Sequence, residues 1–133
     1  MDELPVGELL LVRFSPFSER GLTEDAVDEY DRLSGLGEQP VYAVSSFGMY
    51  RTDPSQTIDE MIAFICREAP CGGKNVCITT RSALVSQGFG VRLSEPLPYH
   101  HDIVLGNELV PEDVKRLEAL LAVGRRRNPA WVK

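Results

Sequence analysis

Both histidines of the chain lie side by side in the run Tyr99-His100-His101-Asp102, between a proline-containing turn and an apolar segment. An imidazole beside a carboxylate suits general-base catalysis, because the carboxylate orients the ring and raises its basicity. If this run lies in a strand, successive side chains point to opposite faces. His100 and Asp102 then share one face and His101 takes the other. The candidate catalytic residues are His100, His101 and Asp102, with at most one histidine working beside the carboxylate.

The residues that follow predict which histidine is more buried. Ile103 and Leu105 continue the face of His101, so we expect His101 to be the more buried of the two. The alternative is an edge strand that only begins here, with histidines that hydrogen-bond to backbone groups.

No sequence motif supplies a nucleophile, a metal or a cofactor. Ser45, Ser46 and the three cysteines are candidate nucleophiles by chemistry alone, since the Gly-x-Ser-x-Gly pattern is absent. Gly72-Gly73-Lys74 precedes Asn75 and a predicted strand, so it does not match a phosphate-binding loop. The spacing of Cys66, Cys71 and Cys77 does not match a zinc site, and we expect free thiols, no metal and no cofactor.

Three arginines lie close to the ends of three predicted strands. Arg13 ends the first, Arg51 follows the second, and Arg81 follows the third. Ligands of open parallel sheets bind outside the carboxyl ends of the strands, so parallel pairing would gather these arginines at one edge. Thr80 and Arg81 also begin a predicted helix, whose N-terminus attracts anions. We therefore predict an anion site formed by Arg13, Arg51, Thr80 and Arg81; the alternative is ordinary surface arginines.

Charge is unevenly distributed along the chain. The net charge is −6, with −7 in the first 40 residues and +3 in the last 23. Asp28, Glu29 and Asp31 lie on the exposed arc of a predicted helix, and Arg125, Arg126 and Arg127 follow the last one. These two clusters are the predicted protein-binding surfaces, although solubility and helix dipoles also explain such charges. An acidic chain disfavours nucleic acid, and RNA binding through the arginines is the weaker alternative.

The pattern of apolar residues predicts one domain over residues 1–133, with a basic tail at 125–133. Strand-like segments at 8–14, 41–47, 75–79, 89–93 and 102–105 alternate with helical patterns at 24–33, 54–69, 81–86 and 111–121. Thr23 and Asp53 are the predicted N-caps of the first two helices. The order β-α-β-α-β-α-β-β-α predicts an α/β domain with a mixed sheet of about five strands and about four helices; an α+β arrangement is the alternative.

Two functions remain open from the sequence. The first is a protein-interaction module, accessory, regulatory or immunity-like, that acts through its charged surface. The second is a small enzyme or ligand-binding domain, a transferase or hydrolase, with an anion pocket at the strand ends and a histidine base. The acidic N-terminus and the absence of a long apolar run predict a cytoplasmic protein without a membrane partner.

Overall fold

The computed structural model describes residues 4–132. The order of its helices and strands is β1 Leu9–Phe14, α1 Glu19–Gly35, β2 Tyr42–Tyr50, α2 Ile58–Glu68, β3 Asn75–Thr80, α3 Arg81–Ser86, β4 Gly90–Leu93, β5 His100–Gly106, α4 Pro111–Val123 and β6 Arg125–Arg127.

The strands form one sheet in the order β4-β5-β2-β1-β3-β6, and every neighbouring pair is antiparallel. The prediction of a single sheet with four helices is confirmed, in its α+β form. The expected parallel pairs are wrong, and a sixth strand forms from the arginines at 125–127.

The course of α1 explains the antiparallel pairing of β1 and β2. A parallel strand–helix–strand unit needs a helix that runs back along the sheet. Here α1 starts at the end of β1, where Asp25 contacts Arg13, and passes across β2, where Tyr30 stacks on Tyr42. It then reaches β4 through Glu29. The chain therefore enters β2 at the end of the sheet at which it left β1.

Helices cover both faces of the sheet and divide the core into two layers. On one face, which we call the α2 face, Leu10, Val12 and Phe47 pack against Ile62 and Ile65 of α2. The opposite face carries α1, α3 and α4, and its buried residues include Leu9, Leu11, Val44, Leu22, Leu84 and Leu117. Strand β1 is buried along its whole length because both of its faces are covered.

The helix starts differ from two of the predicted N-caps. Ser18, not Thr23, caps α1 by accepting a hydrogen bond from Gly21 N, so the helix begins a turn earlier. Thr57 caps α2. Asp53 lies in the preceding turn, where its backbone N donates a hydrogen bond to the side-chain oxygen of Gln56. Thr80 caps α3 as predicted.

The predicted basic tail is ordered at its start. Residues 125–127 form β6, which pairs with Asn75–Cys77 of β3. The chain turns into this strand at Gly124, where a Cβ atom would lie 1.8 Å from Ile78 O, so only glycine fits. Asn128 is buried and donates to Gly73 O. Lys133 lies outside the described residues.

Candidate functional site

The two histidines occupy opposite faces of β5, as predicted. Opposite strand neighbours share a face, and His101 lies opposite Ser46 and Leu93, whereas Asp102 lies opposite Ser45 and Arg92. His101 is only 6% exposed and His100 is half-buried, so the prediction about their burial is confirmed.

His101 presents one ring nitrogen to a cavity. Its Nδ1 donates to Tyr99 O at 2.8 Å, which leaves Nε2 as the unprotonated nitrogen, and no residue in 4–132 hydrogen-bonds to Nε2. Burial lowers the pKa of His101 below its ordinary value of 6.5. The ring is therefore a neutral hydrogen-bond acceptor near pH 7.

The cavity, which we call the His101 cavity, has a volume of about 470 Å³. It lies at the end of the sheet where β1 and β5 begin and β2 and β4 end. Its apolar side chains are those of Leu9, Tyr50, Val91 and Leu93, all on the His101 face of the sheet. Tyr50 and Leu93 are 47% and 60% exposed, so the mouth is apolar as well.

Gly48 keeps the floor of this cavity low. It is buried within β2, and a Cβ atom there would lie 2.6 Å from the side chain of Leu11 and 2.7 Å from Leu10 O. No larger residue fits without movement of β1, so the close approach of the two strands requires glycine at this position.

Four polar residues, Thr52, Arg81, Tyr99 and His101, line the same cavity. Arg81 is exposed, and within the described residues it forms no ion pair or hydrogen bond. Tyr99 adopts φ +64°, a left-handed conformation that is uncommon for residues other than glycine and costs about 1–3 kcal/mol. Its carbonyl accepts from Gly48 N as well as from His101, which holds this conformation in place.

A chain of polar contacts links Glu29 of α1 to side chains on the α2 face of three strands. We call Ser45, His100, Asp102, Arg92 and Glu29 the His100 cluster. Glu29 lies 3.8 Å from Arg92, Arg92 bonds Asp102 at 3.1 Å, and Asp102 Oδ1 lies 4.0 Å from His100 Nε2. The same Nε2 lies 3.1 Å from Ser45 Oγ. The cluster occupies the β4–β5 side of this face, whereas α2 packs on β1 and β2.

The pKa values of the two carboxylates in this chain are shifted in opposite directions. The hydrogen bond from Arg32 lowers the pKa of Glu29. Burial raises the pKa of Asp102, although the Arg92 guanidinium opposes that shift.

The predicted anion site does not assemble. Because β1 runs opposite to β2 and β3, Arg13 lies at the other end of the sheet from Arg51, Thr80 and Arg81. Arg13 is buried and its guanidinium bonds Asp25 at 2.6 Å, Ser45 O at 2.8 Å and Pro16 O at 3.0 Å. Asp25 also accepts a hydrogen bond from Ser45 N. The ion pair therefore bonds the backbone groups of β2 that extend beyond the end of β1 and have no partner in that strand.

Of the other predicted members of that site, two have structural roles and one lines the His101 cavity. Arg51 holds the chain around it by donating to the carbonyl oxygens of Leu4, Pro54 and Gln56. The Thr80 hydroxyl accepts from Ala83 N as a helix cap. Only Arg81 meets a histidine in a cavity.

The charged clusters are partly engaged within the molecule. Glu29 bonds Arg32 and is mostly buried, while Asp28 and Asp31 stay exposed. In β6, Arg125 lies over the ring of Phe17 at 5.4 Å and Arg126 lies 3.6 Å from Asp59.

Cys66 and Cys77 are buried and Cys71 is exposed, and burial raises the pKa of Cys66 to about 11. Among residues 4–132, no group of three or more histidine, cysteine, aspartate or glutamate side chains could hold a metal ion. No helix in that part of the chain is long and apolar enough to cross a membrane.

Comparisons of this chain with models of protein families, with curated proteins and with solved structures found no match.

Sequence reasoning named most of the polar groups but not their partners. The sequence offers Ser45 as a candidate nucleophile by chemistry alone, and nothing in the sequence singles out Arg92. Both become visible only through register, since each lies opposite Asp102 on a neighbouring strand. Tyr50 and Leu93 carried no signal, because single exposed apolar residues are common.

Proposed function

We propose that this protein binds a small organic anion with an apolar body in the His101 cavity. The observation that carries the proposal is the convergence of a neutral histidine, a free arginine and an apolar lining on one concave surface. The volume of about 470 Å³ lies in the range typical of small-molecule sites, which are mostly apolar with a few polar groups.

Each group in the cavity has a chemical role in this proposal. The Arg81 guanidinium pairs with a carboxylate or phosphate, for which its planar donors are suited. Leu9, Val91 and Leu93 contact the apolar body. His101 Nε2 accepts a hydrogen bond from a hydroxyl on the ligand, and it can take that proton if the site performs general-base chemistry. A hydroxyaromatic carboxylate has all three features and is the probe that we would use.

The test measures the binding of hydroxybenzoates to the intact protein. Nuclear magnetic resonance shifts give the Kd and show whether the affected residues line the cavity. Arg81→Gln should raise Kd about tenfold, which corresponds to ~1.4 kcal/mol. The matched control is Arg67→Gln, which removes an exposed arginine of α2, the helix on the opposite face of the sheet, and should leave Kd unchanged. Equal losses in the two variants, or shifts that map elsewhere, would contradict the proposal.

A charged-surface interaction with a protein partner stays a prediction and forms the second candidate. Asp28 and Asp31 are exposed on α1 and support it. Neutralising both residues should slow association with the partner, because rim charges mainly steer encounter. That change should leave hydroxybenzoate binding intact, so the two functions can be separated in one set of variants.

A further inference from the structure

We propose that Ser45 and His100 form a second site, on the α2 face, at which Ser45 acts as an acyl-accepting nucleophile and His100 as its base. A catalytic serine needs a base within hydrogen-bond reach and a third group that orients the base. Ser45 of β2, His100 of β5 and the carbonyl of Ser94, which follows β4, meet both requirements. This site lies on the other face of the sheet from the His101 cavity and does not depend on the function proposed there.

The hydrogen bonds of His100 define which nitrogen is the base. Its Nδ1 lies 3.2 Å from Ser94 O, and a carbonyl only accepts, so Nδ1 carries the proton. Nε2 therefore holds the lone pair and accepts from Ser45 Oγ at 3.1 Å. The ring also packs against Phe47, with 5.2 Å between centroids, which restricts its rotation.

Asp102 is placed to stabilise the imidazolium that forms when His100 takes a proton. Its Oδ1 lies 4.0 Å from Nε2, and its Oδ2 is held by Arg92. The carboxylate is nearly completely buried, so water screens its attraction to the ring only weakly. Asp102 is thus a positioning residue.

Ser45 is one of the residues that line a cavity of about 330 Å³, and we assign this space to the substrate. Phe14 and Phe47 supply apolar walls, and Cys71 lies at its margin. Asp28 adds exposed negative charge. Glu24 is paired with Arg20 at 3.1 Å, and the one arginine that lines the cavity, Arg13, is neutralised by Asp25. The cavity therefore fits a neutral or cationic acyl compound and disfavours an anionic one.

The reaction is acyl transfer from an ester or thioester. Ser45 Oγ attacks the carbonyl carbon while its proton moves to His100 Nε2, and the carbonyl π electrons move to oxygen. The tetrahedral species collapses, the bond to the leaving group breaks, and the leaving group takes the proton from Nε2. Water repeats the sequence on acyl-Ser45, giving the free acid and restoring Ser45, with no change in oxidation state.

The first experiment labels the intact protein with an alkyl fluorophosphonate, which loses fluoride to an activated serine. Mass mapping should find the adduct on Ser45, and Ser45→Ala should abolish it. His100→Gln should slow labelling roughly 100-fold, the usual contribution of a general base. Ser46→Ala is the matched control, because that neighbouring hydroxyl donates to the backbone oxygen of His101 and not to a ring; it should label at the wild-type rate.

Chemical rescue distinguishes a role of His100 as the base from a purely structural role. His100→Ala should regain labelling when imidazole is added, whereas a misfolded variant would not. An adduct on another residue, an unchanged rate in a folded His100→Gln, or no rescue of a folded His100→Ala overturns the proposal.

The substrate class is tested in a Cys71→Ser background, which removes thioester exchange with the nearby thiol. Cationic acetylthiocholine should acetylate Ser45 faster than anionic S-acetyl-thioglycolate. The reverse preference would overturn the assignment of the acidic rim.

Discussion

The two adjacent histidines of β5 differ in what surrounds them and in what they can do. His100 has both nitrogens engaged, one by the Ser94 carbonyl and one by the Ser45 hydroxyl, within a chain of charged groups. His101 has one nitrogen held by Tyr99 and the other turned to an apolar cavity. The first arrangement is suited to activating the Ser45 hydroxyl, whereas the second leaves a ring nitrogen available to a ligand. Neighbouring positions in a strand thus belong to separate sites because the sheet lies between them.

The largest expected effect is a difference in the free energy of unfolding between substitutions on the two faces of the sheet. Ile62→Ala in α2 should lower the free energy of unfolding by about 2–5 kcal/mol, the usual cost of a buried large-to-small change. Leu93→Ala, at the exposed mouth of the His101 cavity, should change it by less than about 0.5 kcal/mol. Denaturant melts of both variants measure this, and comparable losses would mean that the cavity mouth is a part of the core.

A pH-dependent effect should follow from His101. Its folded pKa lies below the ordinary 6.5, so in acid the unfolded chain binds a proton that the folded chain does not. The free energy of unfolding should therefore fall as pH drops through about 6.5. It should stop falling for this reason below the folded pKa.

His101→Gln should flatten that decline in urea melts between pH 7.5 and 5.5. Asp102 acts in the opposite sense, since its raised pKa makes the folded protein bind more protons in acid, and the comparison with wild type removes its contribution. A slope that is the same in His101→Gln and wild type would refute the neutral, buried state of this ring.

The smallest effect distinguishes two neighbouring carboxylates of α1. Glu29→Gln removes a partner of Arg32 and Arg92 and should cost about 0.5 kcal/mol, the range of partly exposed ion pairs. Asp28→Asn, fully on the solvent side, should cost close to zero. The difference should shrink in about 1 M salt, where the Debye length is roughly 3 Å. Persistence at high salt would point to packing and not to charge.

Local patterns predicted the elements well and their pairing poorly. Alternation of side chains placed His100 and His101 on opposite faces, and Pro111 and Gly124 bracketed α4, because both features depend on neighbouring residues alone. The direction of β2 relative to β1 depends instead on the path of α1 across the sheet. That path is fixed by contacts such as Arg13 with Asp25, and no local pattern reports such a contact.

The candidate sites were predictable as residue types but not as constellations. His101 and Arg81 were both named from the sequence, yet their meeting in one cavity requires β3 and β5 to end and begin at the same end of the sheet. Ser45 was chosen only as a hydroxyl. Its bond to His100 follows from strand register, which a one-residue shift would have moved to Ser46.

The placement of three consecutive arginines on β6 also bears on how copies of this protein meet. Among the strands formed by residues 4–132, β6 is the last on its side of the sheet, and one of its edges is unpaired. A free strand edge invites another chain to add to it, and charged side chains are a common defence. Two β6 edges approaching each other would bring all their guanidinium groups together. By this reasoning we expect the basic run to oppose lateral growth of the sheet into aggregates, a role that requires no ligand.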